Sequence, residues 1–182
     1  LSETNGEYYL ISKVLLDAHC YYHGYNDRTI YGKTISPDNY EHSDIRAWLN
    51  NEFYKTAFTL DNDNILTTHV DNTNPTDLGY VCNCCNDTYD KVFLLSYQDY
   101  ENFDHTLSSY YKQCKTTDYA RARGAYYNTS SNYLYNGQYW IRSPSCFSGY
   151  RAFYISYSGY HGNDDVNYSK FCVRPVLSLK VS

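Results

Sequence analysis

The sequence predicts an α+β fold, and three features of its pattern carry that prediction. Short apolar, β-rich segments occur near the N-terminus, an amphipathic helix lies in the first third, and the C-terminal region alternates apolar segments with polar loops. Strands at both ends with helices between them are typical of α+β domains. We therefore expect the N- and C-terminal strands to pair within one domain that spans residues 1–182.

The N-terminal segment supplies the first strands. Glu7 to Cys20 is short, apolar and β-rich, and it predicts one or two strands of a hairpin. Residues 21–40 predict a loop, because Gly24, Gly32 and Pro37 interrupt any regular element there.

The clearest helix covers Ser43 to Phe58. Ser43 is a good N-cap, and the negative charge of Asp44 in the first turn is favoured by the helix dipole. Apolar residues then recur at helical spacing and predict the face that packs on the core. They are Ile45, Trp48, Leu49 and Phe53.

The middle of the chain predicts two strands and two short helices separated by polar loops. The strands are Ile65–Val70, after a turn at residues 61–64, and Val92–Ser96, after the polar loop Asp71–Asp90. The helices are Tyr97–Phe103, which Ser96 caps, and Thr117–Ala125, which ends at Gly124. Residues 126–137 predict a loop rich in Asn, Ser and Tyr.

The C-terminal region predicts three strands, at residues 139–143, 152–157 and 173–181. Arg142 and Arg174 lie in apolar strands, where a guanidinium must be paired or hydrogen-bonded, so we interpret both as structural. The roughly thirty residues between them are almost all small, polar or aromatic. That composition indicates a binding surface held between two framework strands.

The composition of the chain favours a ligand-binding function, and its charge argues against two classes of partner. The chain contains 25 Tyr against 14 Leu, so many tyrosines must lie at the surface, where Tyr favours binding. A net charge of −5 argues against nucleic acid or an anionic membrane as the main partner. No apolar run approaches the ~18 residues of a membrane span.

The cysteines and aspartates leave metal binding open, although we expect no metal and no cofactor. The spacing Cys82-Asn83-Cys84-Cys85 fits a zinc site, a disulfide, or unremarkable loop thiols. The zinc site would need completion by Cys114, or by His69 and His105. The count of seven cysteines is odd, which forbids complete internal pairing. Asp/Asn-rich turns could bind calcium, but the EF-hand pattern is absent and such residues also favour turns. Those aspartates are Asp61, Asp63, Asp71 and Asp77.

Catalytic patterns are weak. Cys146 or Cys172 could act as a nucleophile with His161, but neither lies in a recognised nucleophile motif. The adjacent Asp164 and Asp165 fit a solvated turn, and no glycine-rich phosphate loop is present. We therefore expect no enzymatic activity, with a cysteine-dependent oxidase or hydrolase as the alternative.

Two motifs give the chain a resemblance to a known fold. Trp140-Ile141-Arg142-Ser143 and Cys172-Val173-Arg174-Pro175 resemble the strands that bracket the ligand-facing loops in the formylglycine-generating-enzyme type of C-type lectin fold. In that group the second strand reads Gly-Phe-Arg-Pro, and here Cys-Val replaces Gly-Phe. Ser43–Asn50, Lys91–Ser96 and Thr117–Ala125 also resemble a related uncharacterised domain of gut prokaryotes. The resemblance implies a loop-rich domain with a C-terminal antiparallel sheet and two or three helices.

Within that fold, the chain is most similar to the variable proteins of diversity-generating retroelements. Such elements mutate template adenines, and Asn codons changed in this way cannot encode Lys, Glu, Gln, Met or Trp. Between Ser143 and Cys172 only Lys170 belongs to this inaccessible set, whereas 18 of the 182 residues of the whole chain do. The resemblance therefore implies a variable ligand-binding region at about residues 143–172.

The resemblance further implies a non-enzymatic receptor or adhesin at a cell surface, outside the cell or on a virion, which binds a protein or a surface glycan. A fixed carbohydrate-binding module is the other alternative, although the calcium-dependent lectin triplets are absent. Trp140, Arg142 and Arg174 would be scaffold. The expected contact residues are Ser145, Cys146, Phe147, Ser148, Tyr150, Tyr154, Ser156, Tyr157, Tyr160, His161, Asn163, Asp164, Asp165, Asn167 and Tyr168.

Overall fold

The computed structural model describes residues 2–4, 6–58, 64–72, 85–104 and 111–181, which form an α+β fold with many short strands and few helices. The strands are β1 (Ser2–Thr4), β2 (Glu7–Ile11), β3 (Asp17–Ala18), β4 (Arg28–Ile30), β5 (Lys33–Ile35), β6 (Ile65–Leu66), β7 (Thr68–Val70), β8 (Thr88–Asp90), β9 (Tyr139–Pro144), β10 (Arg151–Ile155), β11 (His161–Asp165), β12 (Cys172–Val173) and β13 (Val176–Lys180). The helices are α1 (Asp44–Trp48), a π-helical segment (Leu49–Phe53), α2 (Tyr54–Ala57), α3 (Tyr97–Asp104), α4 (Asp118–Ala122) and a 3-10 turn (Ser131–Tyr133).

The first sheet joins the two ends of the chain. Its four strands lie in the order β1-β2-β13-β6, and β13 pairs antiparallel with β2 from Val176 opposite Ile11 to Lys180 opposite Glu7. The expected pairing of the N- and C-terminal strands is therefore confirmed. The turn between β1 and β2 uses Gly6, whose φ of +79° is a conformation that favours glycine.

The second sheet carries the C-terminal region. Its five strands lie in the order β11-β10-β9-β12-β3, and β9, β10 and β11 form an antiparallel meander. The prediction of an antiparallel C-terminal sheet is correct except for one pair, because β12 runs antiparallel to β3 but parallel to β9, with Cys172 opposite Tyr139. The chain passes from the edge strand β11 to the other side of β9, so β12 enters in the same direction as β9.

Both faces of β9, the central strand of the second sheet, are buried. Alternate residues of a strand point to opposite faces, and along β9 they enter two different core clusters. Tyr139 and Ile141 belong to one cluster, while Trp140 belongs to the other. The extended segment 92–95 alternates in the same way, so it also lies between the two clusters.

The predicted helices are confirmed, together with their caps. Ser43 Oγ accepts a hydrogen bond from Arg46 N at 3.2 Å, and Ser96 Oγ accepts one from Asp99 N at 3.0 Å. These bonds satisfy N–H groups that the first helical turn leaves without a partner. α4 is followed by Gly124, whose φ of +96° lies in the left-handed region that favours glycine.

Several predicted strands are paired differently. Glu7–Cys20 contains two strands, but β2 and β3 belong to different sheets and do not form a hairpin with each other. Val92–Ser96 is extended and, within the described residues, its pairing is limited to an isolated bridge between Phe93 and Val176. The single C-terminal strand is divided into β12 and β13, because Pro175 between them has no N–H to donate to a sheet.

Three segments for which the sequence predicted loops contain strands in the structure. β4 and β5 form a hairpin in residues 21–40, and its two-residue turn has positive φ at Tyr31 and Gly32. β8 lies within the predicted loop Asp71–Asp90 and pairs with β7. β11 occupies His-Gly-Asn-Asp-Asp, a sequence of low strand propensity that pairing with β10 holds extended.

No helix in the described residues is long and apolar enough to cross a membrane.

Replacing Phe153 with Ala tests the core between the two sheets. Phe153 is 2% exposed on β10, so we expect Phe153→Ala to lower the free energy of unfolding by about 3–5 kcal/mol in urea titrations. The control Tyr160→Ala removes an aromatic ring that is 77% exposed, and it should leave the unfolding midpoint nearly unchanged. Equal losses in the two variants would contradict this assignment of the core.

Candidate functional site

The polar region between residues 145 and 169 folds into the β9–β10 turn, the β10–β11 hairpin and the segment after β11. Four of its aromatic side chains are exposed, which is unusual for rings of this size. Their exposed fractions are 62% for Phe147, 37% for Tyr150, 77% for Tyr160 and 38% for Tyr168. We call the expected contact residues together the candidate surface.

The strand geometry divides the candidate surface between two faces of the sheet. His161 and Asn163 lie opposite Ile155 and Phe153, so they share the face of the first core cluster. The His161 ring packs edge-on to Tyr97 with centroids 4.8 Å apart. Asp164, with Gly162, lies on the opposite face, and Asn167 is exposed beyond the end of β11.

At one end of the hairpin, Ser145 shapes the β9–β10 turn. Its N–H donates to Arg151 O at 2.8 Å, and its Oγ accepts from Phe147 N at 3.2 Å. Ser145 is only 2% exposed, so its side chain supports the turn and does not face solvent. The neighbouring Cys146 is disulfide-bonded, and half-buried Ser148 accepts a hydrogen bond from Tyr150 N at 3.5 Å.

The same end carries an ion pair and a ring contact. Arg151 Nε donates to Asp165 Oδ1 at 2.9 Å across the β10–β11 pair. The Tyr150 ring packs on Tyr25, with centroids 4.6 Å apart. Tyr25 lies in the segment 21–40, so the surface at this end includes a residue far away in the sequence.

The middle of the hairpin is coupled to the core through Phe171. The Tyr154 and Tyr168 rings lie 4.5 Å and 4.9 Å from Phe171, which itself packs on Trp140 at 4.6 Å. A Cβ on Gly162 would lie 2.8 Å from the phenol end of Tyr154, so any other residue at position 162 would require this ring to shift. Burial, with a smaller effect of the Asp164 charge, raises the pKa of Tyr154.

The other end of the hairpin forms a cluster of tyrosines. Ser156 N donates to Tyr160 O at 2.7 Å and closes the turn. The Tyr157 ring lies 5.4 Å from Tyr133 and 6.5 Å from Tyr126. Asn136 Nδ2 also donates to Tyr157 O at 3.1 Å, which ties this turn to the loop 126–137.

Three further tyrosines near this end of the hairpin are exposed but were not among the contact residues predicted from the sequence. Tyr126, Tyr127 and Tyr135 are each between 37% and 42% exposed, and the Arg121 guanidinium lies 4.6 Å from the Tyr135 ring centroid. The composition of residues 126–137 could have indicated them, because this loop shares the Tyr, Asn and Ser content of the candidate surface. Only the fold shows that the two segments meet.

Trp140 and Arg142 lie beneath this surface on β9 and are 1% and 7% exposed. Trp140 Nε1 donates to His19 O at 3.0 Å. Arg142 donates to Leu94 O at 2.7 Å and to Asp99 Oδ2 at 2.6 Å. Its Nη2 also donates to the backbone carbonyl of Asp71 at 3.1 Å. The buried charge is thus compensated by one carboxylate and two carbonyls, while its buried Nε makes no hydrogen bond to the described residues.

Arg174, which is also 7% exposed, joins three segments that are distant in the sequence. Its Nε donates to Ser12 O at 2.9 Å, and its Nη1 donates to Tyr111 O at 2.6 Å and to Tyr139 Oη at 3.1 Å. The planar guanidinium can serve these divergent acceptors at once, whereas an ammonium group cannot reproduce the geometry.

Substituting Arg174 with Lys tests this network. We expect Arg174→Lys to lower the free energy of unfolding by about 2–4 kcal/mol, because it loses charge-assisted hydrogen bonds in a buried site. The matched control is Arg151→Lys, at a surface ion pair, which should shift the urea midpoint little. A midpoint shift in the control as large as that of Arg174→Lys would refute the structural distinction.

Asp38 is a buried carboxyl group behind the β9–β10 turn. It is fully buried, its N–H donates to Gly149 O at 3.1 Å, and its carboxylate accepts from Ser36 Oγ. Burial raises the pKa of Asp38 to about 7, because the desolvation outweighs the hydrogen bonds from Ser36 and the backbone and the smaller effect of the Arg28 charge, all of which lower it. Asp27 raises this pKa slightly further.

The folded protein should therefore bind a proton at Asp38 more tightly than the unfolded chain does. The stabilisation that this tighter proton binding contributes is complete below about pH 4 and is lost as the pH rises through about 7. Each pH unit in this window costs up to about 1.4 kcal/mol. Asp38→Asn removes the titration, so its stability relative to the wild type should rise by about 2–4 kcal/mol between pH 4 and pH 8.

Urea titrations at several pH values measure this difference. A difference that stays flat between pH 4 and pH 8 would show that Asp38 is not a buried acid.

The described cysteines give little support to thiol catalysis. Cys20, Cys85, Cys114 and Cys172 are free, and burial raises the pKa of Cys172 to about 12, which keeps its thiol protonated. Cys82 and Cys84 of the CxxC segment lie outside the described residues. So do Asp61, Asp63, Asp77 and His105, which the metal hypotheses would use.

Within the ranges that the structure describes, no group of three or more His, Cys, Asp or Glu side chains could hold a metal ion.

Comparison with known proteins identifies a family but no function. A family model described as "Domain of unknown function (DUF6273)" matches residues 5–181, which is nearly the whole chain. No curated protein and no solved structure matches the chain.

Proposed function

The chain belongs to the DUF6273 family, and we propose that it is a non-enzymatic ligand-binding domain with a C-type lectin fold of the formylglycine-generating-enzyme type. Its binding face consists of the exposed members of the candidate surface, and a diversity-generating retroelement exchanges them. The ligand is a protein or a surface glycan, and the domain acts at a cell surface, outside the cell or on a virion.

The observation that carries this proposal is the separation of buried and exposed residues within one short segment. Between residues 151 and 171 the buried side chains are aliphatic or aromatic, and they belong to the two core clusters. They are Ala152, Phe153, Ile155, Val166 and Phe171. The exposed positions between them carry Tyr, His, Asn, Ser and Lys. Exposed positions on a well-packed framework tolerate exchange, because surface substitutions change stability little.

The chemistry of the exposed side chains favours recognition. Tyr offers a large contact area with few rotatable bonds and a hydroxyl group, so it binds at a low entropic cost. Tyr150, Tyr160 and Tyr168 provide this chemistry within the candidate surface, and the neighbouring tyrosines of the loop 126–137 enlarge it. The surface has no need of a fixed catalytic group to act in this way.

The antiparallel pairing of β2 with β13 supports the fold assignment, because it closes the domain at its two ends. The disulfide at Cys146 supports a location outside the reducing cytosol, since disulfides persist in oxidising compartments.

A fixed carbohydrate-binding module is the second candidate, and the same exposed tyrosines favour it. Under this alternative the sequence of the surface would be constant, and one sugar would bind through the aromatic rings.

Sequencing sibling copies of the gene tests diversification directly. We expect differences to concentrate between Ser145 and Ser169, at codons that contain adenine in the template, and to spare Ala152, Phe153 and Ile155. Differences spread evenly over the 182 residues would contradict the proposal. Invariant siblings that bind one sugar on a glycan array would favour the carbohydrate-binding module instead.

A further inference from the structure

A cavity lies outside the candidate surface. It has a volume of about 410 Å³ and is bordered by the helix that begins with α1, by α4 and by β3. Small-ligand sites commonly have volumes of roughly 300–1,000 Å³ and combine aromatic walls with a few polar groups. None of the residues that line it belongs to the surface proposed for diversification, so it needs an explanation of its own.

Aromatic rings form much of the wall. Trp48 and Phe53 pack together with ring centroids 5.1 Å apart, and Tyr119 on α4 is 61% exposed beside them. His19, which does not line this cavity, stacks on Trp48 at 4.9 Å and fixes the plane of the indole. Phe53 lies in the π-helical segment, a local irregularity that is frequent at functional sites.

The polar groups of the wall carry an excess of negative charge. Asp17 is 8% exposed on β3, where its Oδ1 accepts from Ala18 N at 2.7 Å and from Arg123 Nε at 3.4 Å. Glu52 is exposed and has no ion-pair partner among the described residues. Arg123 offsets the charge of Asp17, which leaves the charge of Glu52 uncompensated at the cavity.

We propose that this cavity binds a small organic ammonium ion. The faces of Trp and Tyr rings attract cations, most strongly when the cation is a weakly hydrated alkylated ammonium group. Trp48 and Tyr119 supply such rings, Glu52 supplies the opposite charge, and Asp17 is held in place by its backbone hydrogen bond. A neutral ligand could use the rings but would gain nothing from the uncompensated carboxylate.

Intrinsic fluorescence can measure this binding, because the chain contains only two tryptophans. Trp140 is 1% exposed in the core, whereas Trp48 is half-buried at the cavity. Choline is the probe, and 3,3-dimethyl-1-butanol, its neutral isostere, is the matched ligand control at constant ionic strength. We expect choline to change the emission with saturation and to bind about tenfold or more tightly than the neutral isostere.

Two variants at exposed positions assign the site. Glu52→Gln and Tyr119→Ala should each weaken choline binding by about fivefold or more, because they remove the charge or one ring. Glu7→Gln removes an exposed carboxylate from β2, which does not border the cavity, and it should leave binding unchanged. Circular dichroism checks that each variant is folded.

Three results would overturn the proposal. They are the absence of saturable choline binding, equal affinity for the neutral isostere, and choline binding that Glu52→Gln does not weaken. None of them bears on the diversified surface, since that proposal is tested by sibling sequences.

Discussion

The burial of β9 on both faces is the constraint on which the rest of the structure depends. All six residues from Tyr139 to Pro144 are buried, and the first three contribute alternately to the two core clusters. A polar side chain on a strand that is buried on both faces needs hydrogen-bond or ion-pair partners. Arg142 has such partners in Asp99 and in carbonyls of two other segments, so the same guanidinium positions the helix α3 and the segment at Leu94.

The buried framework around β9 explains how a loop-rich chain can hold its surface residues in defined positions. Arg174 ties β12 and β13 to Ser12, Tyr111 and Tyr139, so the second guanidinium connects the N-terminal strand to β9. The edge hairpin of β10 and β11 then rests on a framework whose geometry does not depend on its own exposed residues. Contact residues can be precise when a rigid framework supports them, even where the segment has low strand propensity.

The sequence predicted the parts of the fold that depend on local chemistry. The helix after Ser43, the helix after Thr117 and the pairing of the terminal strands follow from caps, periodicity and element order. Pairing between distant segments could not be predicted in this way. The strand at His161–Asp165 has no propensity of its own and exists because β10 pairs with it. The contact of Tyr157 with Tyr126 and Tyr133 likewise depends on the arrangement of the hairpin and the loop 126–137.

The candidate surface itself divides into positions that are free to change and positions that are coupled to the core. Phe147 and Tyr160 are largely exposed, and exchanging them alters the surface alone. Tyr154 packs on Phe171 and lies against Gly162, so any other residue at position 162 requires the Tyr154 ring to move. Under the proposed diversification, contacts with the core would therefore limit the exchange of residues as well as the codons do. A side chain at position 162 would require either a shift of the Tyr154 ring or a smaller residue at position 154, whereas Phe147 and Tyr160 can vary independently.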